Sequence, residues 1–383
     1  MRLVATEHLN TGDRIGRDIV TSGDGLLLLR AGMRISDSFQ RSLRRAGITA
    51  VWIDDELSAG IEPLEMLREE TRHRAVSAIR SAFQDVSQSL VQGGALPADT
   101  IRKMTAVAEL IGRDIADNAQ SALALNDLAN ADSYTMKHSL AVTALGLALG
   151  IRAMRRYGWT DHRGARRFDQ VEQRLSQLGV GLLLHDIGKL AVPPEILHKP
   201  GPLTDDEWTA MRAHSMLGFE MLKGTGGISA LARSVVRSHH ERWDGTGYPD
   251  RKAGVAIHQF ARIATVADVF DALTSERPYS AAEPAHRAFE YVVSRAGRDF
   301  DPDIVDVFRS SVAPYPPGTG VVLSDGSRGL VKEVRPAFVE CPIVRIVVDP
   351  SGRSIPPREV DLSTTPELTI VSEDVAPLAP LAV

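Results

Sequence analysis

Beyond Leu64 the apolar residues recur at helical spacing, whereas before it they come in short runs broken by glycine. Val76, Ile79, Phe83, Val86 and Leu90 step by three and four, which predicts an amphipathic helix with a narrow seam. This seam is read as an internal packing face, with a homodimer contact as the alternative. Gln92-Gly93-Gly94-Ala95-Leu96-Pro97 breaks the pattern, and Asp99 is placed to cap a second helix with Ile101, Met104, Ala108, Ile111 and Ile115 on one stripe. Residues 121–312 read as almost wholly helical. Leu140 to Ile151 is an apolar run rich in the small residues of a packed helix. Thr204-Asp205-Asp206-Glu207 is a capping box that opens a helix with Trp208, Met211, Leu217 and Met221 inward, His214 sharing their face. The charged stretch Arg152 to Arg174, with Arg155-Arg156 and Arg166-Arg167, reads as a solvated connection.

The flanks have a different texture. Residues 1–57 suggest a small α/β module: a turn at Gly23-Asp24-Gly25, a strand Leu26 to Leu29, a short helix beginning at Ser36 and stopped by Gly47, and a strand Ile48 to Ile53. After Pro314, strands are predicted at Val321 to Leu323, Gly329 to Val334, Ile343 to Val348 and Leu368 to Val371, with a turn at Asp325-Gly326. The expected fold is therefore mainly α. A module over 1–57 and a helical linker region over 58–120 precede a helical domain over 121–312, and a small barrel-like β domain over 313–383 ends in a disordered Ala/Pro-rich tail.

Composition narrows the classes. The chain has 383 residues, 43% hydrophobic and 24% charged, with a formal net charge of −5. No basic excess points to a nucleic-acid polymer or a membrane surface, and the Leu140 to Ile151 run is too short to span a bilayer. Cys341 is the single cysteine, which excludes an intramolecular disulfide and a thiolate-rich metal site. A reduced, cytoplasmic setting is the expectation.

The chemistry gathers around Asp186, which ends Leu182-Leu183-Leu184-His185-Asp186 and so sets a carboxylate against core leucines. An unpaired buried carboxylate is costly and finds a cation or neutralises. His138, His185, His214, the doublet His239-His240 and Asp268 all lie on apolar elements of the same helical region. Imidazole and carboxylate without thiolate suit Fe, Mn, Zn or Co. Seven such groups exceed one tetrahedral ion and fit two ions sharing a bridging carboxylate, an arrangement suited to phosphoryl transfer. Lys189, one turn past His185, is placed to neutralise a phosphate oxygen or protonate a leaving alkoxide.

His239-His240-Glu241-Arg242-Trp243-Asp244-Gly245-Thr246-Gly247-Tyr248-Pro249 closely resembles the signature of HD-GYP domains, a branch of the HD phosphohydrolase superfamily. The segments Tyr134 to Ser139, His185 to Lys189, Leu197 to Gly201 and Ala267 to Tyr279 agree with it, so the resemblance covers about half of the chain. HD-GYP proteins are typically phosphodiesterases that open the bacterial second messenger cyclic di-GMP to linear pGpG and in some cases GMP. The resemblance implies one metal held by His138, His185, Asp186 and Asp268, and a second by Asp186 as bridge with His214, His239 and His240. A hydroxide between them would attack phosphorus in line with the departing 3′ oxygen. Lys189 and Arg277 would contact the phosphates, and Gly247, Tyr248 and Pro249 would shape a loop over the substrate. Fe or Mn is the expected metal, with Zn, Co or Ni admissible.

Some relatives carry a carboxylate one turn before the first histidine and hold a third metal; Tyr134 stands there, which favours two. Asp271 is read as a support to the ligands or a helix cap, His198 and His258 as surface or loop residues. Where the family commonly has a basic residue after Arg-Pro-Tyr this chain has Ser280, the one feature favouring a non-catalytic cyclic di-GMP receptor. The other rival keeps the metal pair and changes the substrate to another cyclic dinucleotide or a nucleotide. Protein partners, if present, would meet the Gly-Tyr-Pro loop or the N-terminal module.

Overall fold

The apolar run after His138 lies in one long helix, and several other helices of the larger compact unit pack against it. The computed structural model describes residues 1–20, 27–46, 48, 50–92, 97–118, 122–123, 134–161, 163–199, 201–275 and 282–374. The elements begin with β1 (Arg2–Ala5), β2 (Ile19–Val20), β3 (Leu27–Leu29), α1 (Asp37–Arg45) and β4 (Ala50–Ile53). Next come α2 (Glu69–Gln92), α3 (Ala98–Asp117), α4 (Tyr134–Tyr157), β5 (Trp159–Thr160), β6 (Arg166–Arg167), α5 (Val171–Leu183) and α6 (Pro194–Leu197). They continue with α7 (Asp205–Arg212), α8 (His214–Lys223), α9 (Ala230–Ser238), α10 (Gln259–Thr274), α11 (Ala285–Ser294) and α12 (Pro302–Arg309). The last are β7 (Gly320–Leu323), β8 (Arg328–Glu333), β9 (Ile343–Val348), β10 (Ser354–Asp361) and β11 (Ile370–Glu373).

Two compact units result: one of Met1–Glu65, Ser121–Ser133 and Ser310–Val383, the other of Met66–Gln120 and Tyr134–Arg309. In the first, β1 pairs antiparallel with β4 and β2 with β3. Ser36 caps α1, its hydroxyl accepting from Phe39 N. The C-terminal strands form an antiparallel sheet in the order β10-β9-β8-β7-β11. This corrects the barrel-like expectation: β10 and β11 are the two edges, and no pairing joins them among the described residues. One apolar face of the sheet, including Val321, Leu323, Val331, Val344 and Ile346, makes a core of its own.

In the second unit α4 is buried nearly throughout, from Leu140 to Met154. The α2 helix packs on α3, with Ala75, Ile79, Ala82 and Val86 buried along its seam. Asp99 sits in the first turn of α3 rather than at its N-cap, which is Pro97. Arg152–Arg174 joins α4 to α5 through the β5–β6 hairpin, with Arg155, Arg156, Arg166 and Arg167 exposed, as a solvated connection requires, and the Arg174 guanidinium 3.8 Å from the Trp159 ring centroid. The capping box at Thr204 is present, but the helix ends at Arg212 and a new one starts at His214. One apolar stripe therefore does not run through both, and Trp208 and Leu217 are exposed rather than inward. Arg277 and Ser280, the turn at Gly23-Asp24-Gly25, Gly47 and the Ala/Pro-rich tail lie outside the described residues.

Candidate metal centre

Helix ends build this site. His185 and Asp186 follow the last turn of α5, His214 opens α8 just past the end of α7, and His239-His240 closes α9. The last carbonyls of a helix lack intrahelical donors. Here the imidazoles supply them: His185 Nδ1 donates to Leu182 O at 2.8 Å, and His214 Nδ1 to Met211 O at 2.7 Å. His239 Nδ1 donates to Val235 O and Val236 O at 3.1 and 3.0 Å. His138, mid-helix on α4, donates from Nδ1 to Asp271 Oδ2 at 2.6 Å. A carbonyl or carboxylate oxygen can only accept, so each of these rings carries a proton on Nδ1 and turns its Nε2 inward.

Those inward nitrogens converge. His138 and His185 bring their Nε2 atoms to 3.2 Å, His214 and His239 to 3.3 Å, and His214 and His240 to 3.2 Å. Asp186 lies between the groups. Its Oδ2 is 3.5 Å from His138 Nε2 and 3.4 Å from His185 Nε2, while its Oδ1 is 3.4 Å from His214 Nε2 and 3.9 Å from His239 Nε2. Asp268, on α10, sets Oδ1 3.1 Å from His138 Nε2 and Oδ2 3.7 Å from His240 Nδ1. Lys189 Nζ donates to Asp186 Oδ2 at 2.5 Å. The seven residues singled out by sequence thus share one buried cluster. Within it, Asp186 with His214, His239 and His240, and Asp186 with His138 and His185, each present donor atoms spaced to hold a metal ion.

The electrostatics fit a cation. Burial opposes ionisation of Asp186 and Asp268, yet Lys189 and the imidazoles around Asp186, and His138 and His240 around Asp268, hold both carboxyls well below the usual range. Burial also opposes a charge on His138, but hydrogen bonds to Asp186, Asp268 and Asp271 raise its pKa well above the ordinary value. Burial lowers His214, lowers His239 further with help from neighbouring imidazoles, and brings His240 down to about 3. Neutral His214, His239 and His240 facing ionised carboxylates suit the donor set that Fe, Mn, Zn or Co takes, and a cation bound beside His138 would displace the proton that its carboxylate neighbours favour.

Backbone contacts fix the pieces. A short 3₁₀ turn over Ile187–Ala191 presses Gly188 against α8, where a Cβ would lie 1.9 Å from His214 O and 2.5 Å from Gly218 N. Thr265 Oγ1 on α10 donates to His239 O at 2.8 Å. The loop after the doublet folds back on it: Tyr248 N donates to His240 O at 3.2 Å, and the Tyr248 ring stacks on His240 with centroids 4.7 Å apart. Gly247 permits this, since a Cβ there would meet Arg242 N at 2.4 Å.

Sequence reasoning missed Glu241. Its side chain is buried and accepts from Asp250 N at 2.7 Å on Oε1 and from Lys252 N at 3.1 Å on Oε2. Its signal was a carboxylate directly after a buried histidine pair, a place where burial demands partners. His258, read as a surface or loop residue, lies just before α10 as its half-buried N-cap, its Nδ1 accepting from Phe260 N at 3.2 Å.

Comparison with known proteins places the chain. A family model described as HD domain matches residues 156–304, a span that holds all of these site residues except His138. The chain is 34% identical over 350 residues to cyclic di-GMP phosphodiesterase PA4108 of Pseudomonas aeruginosa, covering 84% of this chain and 78% of that protein. The chain belongs to the HD-GYP family. The chain is also 44% identical over 136 residues to the cyclic di-GMP phosphodiesterase response regulator RpfG of Xanthomonas campestris, covering 35% of this chain and 36% of that one. It is 41% identical over 125 residues to 3'3'-cGAMP-specific phosphodiesterase 2 of Vibrio cholerae, covering 32% of this chain and 24% of that one. No described helix of this HD-GYP protein is long and apolar enough to cross a membrane.

Proposed function

We propose that this protein is a metal-dependent phosphodiesterase that hydrolyses cyclic di-GMP to linear pGpG, and to GMP where cleavage continues. The observation that carries the reading is the divided carboxylate of Asp186, one oxygen facing His138 and His185 and the other facing His214 and His239. That division favours two divalent ions, Fe or Mn first, with His138, His185, Asp186 and Asp268 as one donor set and Asp186, His214, His239 and His240 as the other. Bound there, the ions would supply Lewis-acid polarisation of a phosphodiester and a nucleophile at neutral pH.

The chain's own groups do the rest. Asp186 stays ionised beside Lys189, and Lys189, with its side chain partly exposed, is a cation at the rim that meets a phosphate oxygen and delivers a proton to the departing 3′ oxygen. Tyr248, stacked on His240, walls the site on the loop side and limits water. Arg277 is assigned a second phosphate contact. The cytoplasm is the proposed setting, and the divisions at 57, 120 and 312 are retained as proposed domain boundaries. The naming of a Vibrio cholerae relative for 3'3'-cGAMP supports a second reading, in which another cyclic dinucleotide is the substrate.

Incubation of protein loaded with Mn or, anaerobically, with Fe(II) should convert cyclic di-GMP to pGpG, read by chromatography. Asp186→Asn should lose metal and turnover together, because one residue serves both donor sets. Turnover retained in that variant, or none in the loaded wild type, rejects the reading.

A further inference from the structure

The cluster recognises phosphate and metal, neither of which tells guanine from adenine. Cyclic di-GMP and 3'3'-cGAMP differ in one base, and related phosphodiesterases are named for each. A base-reading group must therefore stand outside the cluster, within reach of the loop that borders it.

At the end of α7 the Arg212 guanidinium carbon lies 5.8 Å from the Tyr248 ring centroid and 5.8 Å from that of Trp208. Tyr248 in turn stacks on His240. The sequence His240, Tyr248, Arg212, Trp208 is thus a ladder of flat groups leading outward from the metal-binding cluster. Its outer rungs are available: Arg212 is exposed with no carboxylate partner among the described residues, and Trp208 is 46% exposed. One exposed tryptophan is ordinary on a protein surface, and a tryptophan and arginine one helical turn apart often stack for local reasons. The contact to Tyr248 is different, since it joins two separate elements and points the pair at the site.

We infer that Trp208 and Arg212 form a purine subsite, Trp208 stacking one base of a cyclic dinucleotide and Arg212 donating to O6 and N7 of guanine. A planar fork of donors matches that edge of guanine, whereas adenine offers an amino donor where guanine has O6. Base stacking on an indole accepts either purine. The two residues therefore divide the work: Trp208 holds a base and Arg212 chooses it. This inference rests on the cyclic dinucleotide reading of the site.

The test compares cyclic di-GMP, 3'3'-cGAMP and cyclic di-AMP on metal-loaded wild type and the variants Arg212→Ala, Arg212→Lys, Trp208→Ala and Trp208→Phe. Binding is measured by calorimetry in the presence of Ca²⁺, and turnover with Mn. Arg212→Ala should weaken binding and raise KM for cyclic di-GMP by about tenfold or more, with kcat little changed and cyclic di-AMP nearly unaffected. Lysine should fail to restore the preference, because it lacks the fork. Trp208→Ala should weaken all three ligands by about tenfold, and phenylalanine should recover most of that loss. Equal losses on all three ligands in Arg212→Ala, a wild type that binds cyclic di-GMP and cyclic di-AMP alike, or no recovery with phenylalanine overturns the subsite. Binding in the expected order without turnover sinks the phosphodiesterase reading and leaves the subsite standing. Metal content unchanged in all four variants separates a local effect from damage to the cluster.

Discussion

Gly188 runs so close to His214 that a side chain at 188 would begin 1.9 Å from the His214 carbonyl oxygen. The next nearest atoms are also backbone of α8, Gly218 N at 2.5 Å and His214 C at 2.8 Å, so nothing flexible can give way. This crossing carries the Asp186 segment against the first turn of α8 and lets one carboxylate reach histidines on both sides. Gly188→Ala should destabilise the protein by about 2–3 kcal/mol and lower metal content at the His214 side. Gly112, in α3, provides the control: nothing lies within 4 Å of a Cβ built there. Gly112→Ala should leave metal binding alone and stabilise by about 0.5–1 kcal/mol in denaturant unfolding. Similar behaviour of the two variants would show that the close crossing is not what fixes His214.

Glu241 governs the loop in the same indirect manner. Its two oxygens each accept one loop amide, from Asp250 and Lys252, and no water-exposed alternative exists for a side chain only 1% exposed. Glu241→Gln presents an amide nitrogen to one of those N–H groups, which loses its bond to the buried side chain, at about 1–3 kcal/mol. Hydrogen exchange at the Asp250 and Lys252 amides should accelerate, and KM should rise while metal content holds. Loss of metal with unchanged exchange would instead make Glu241 a part of the metal-binding cluster.

The metal-binding cluster was legible in the sequence because its members are polar residues in apolar surroundings, a placement that burial penalises and only a cation or a network relieves. His185-Asp186 after three leucines and the doublet before Gly-Tyr-Pro carried most of that signal. Glu241 was hidden by its neighbours: its partners are backbone amides, which leave no residue-type trace. The helical core was legible from its periodicity, but the same period misled at Trp208 and Leu217, because a break at Ala213 resets the phase and no proline or glycine marks it. The open sheet was missed for a related reason. Pro356-Pro357 reads as a break, yet β10 is an edge strand whose register shifts between Ser354 and Arg358, where prolines are tolerated.

Asp271 takes the hydrogen bond of His138 Nδ1, whereas His185, His214 and His239 give theirs to backbone carbonyls. Ser275 Oγ donates to its other oxygen at 3.1 Å and holds it in place. Asp271→Asn keeps the shape but turns either an acceptor or a donor to His138 Nδ1, so the inward Nε2 lone pair is no longer guaranteed. Metal affinity should fall about 10–100-fold by competition with a chelating dye, while the fold survives. Unchanged affinity would mean that α4 alone sets the orientation of His138.

His258 offers a pH test away from the cluster. Burial lowers its pKa to about 4, with the Arg174 and Arg262 charges acting in the same direction. Its Nδ1 must stay unprotonated to accept from Phe260 N. The unfolded imidazole titrates near the ordinary value of 6.5, so below that pH the unfolded state binds a proton that the folded state does not. Stability from this group is therefore complete above pH 6.5, falls as the pH drops, and levels off near pH 4, a loss of up to about 3 kcal/mol. His258→Asn keeps a side-chain oxygen that caps helices well and has no charge to gain. Urea unfolding of both proteins from pH 4 to 7 isolates the residue, since every other titrating group is shared. The wild-type curve should drop away from the variant's as the solution is acidified through that window, and parallel curves would show that the cap does not titrate.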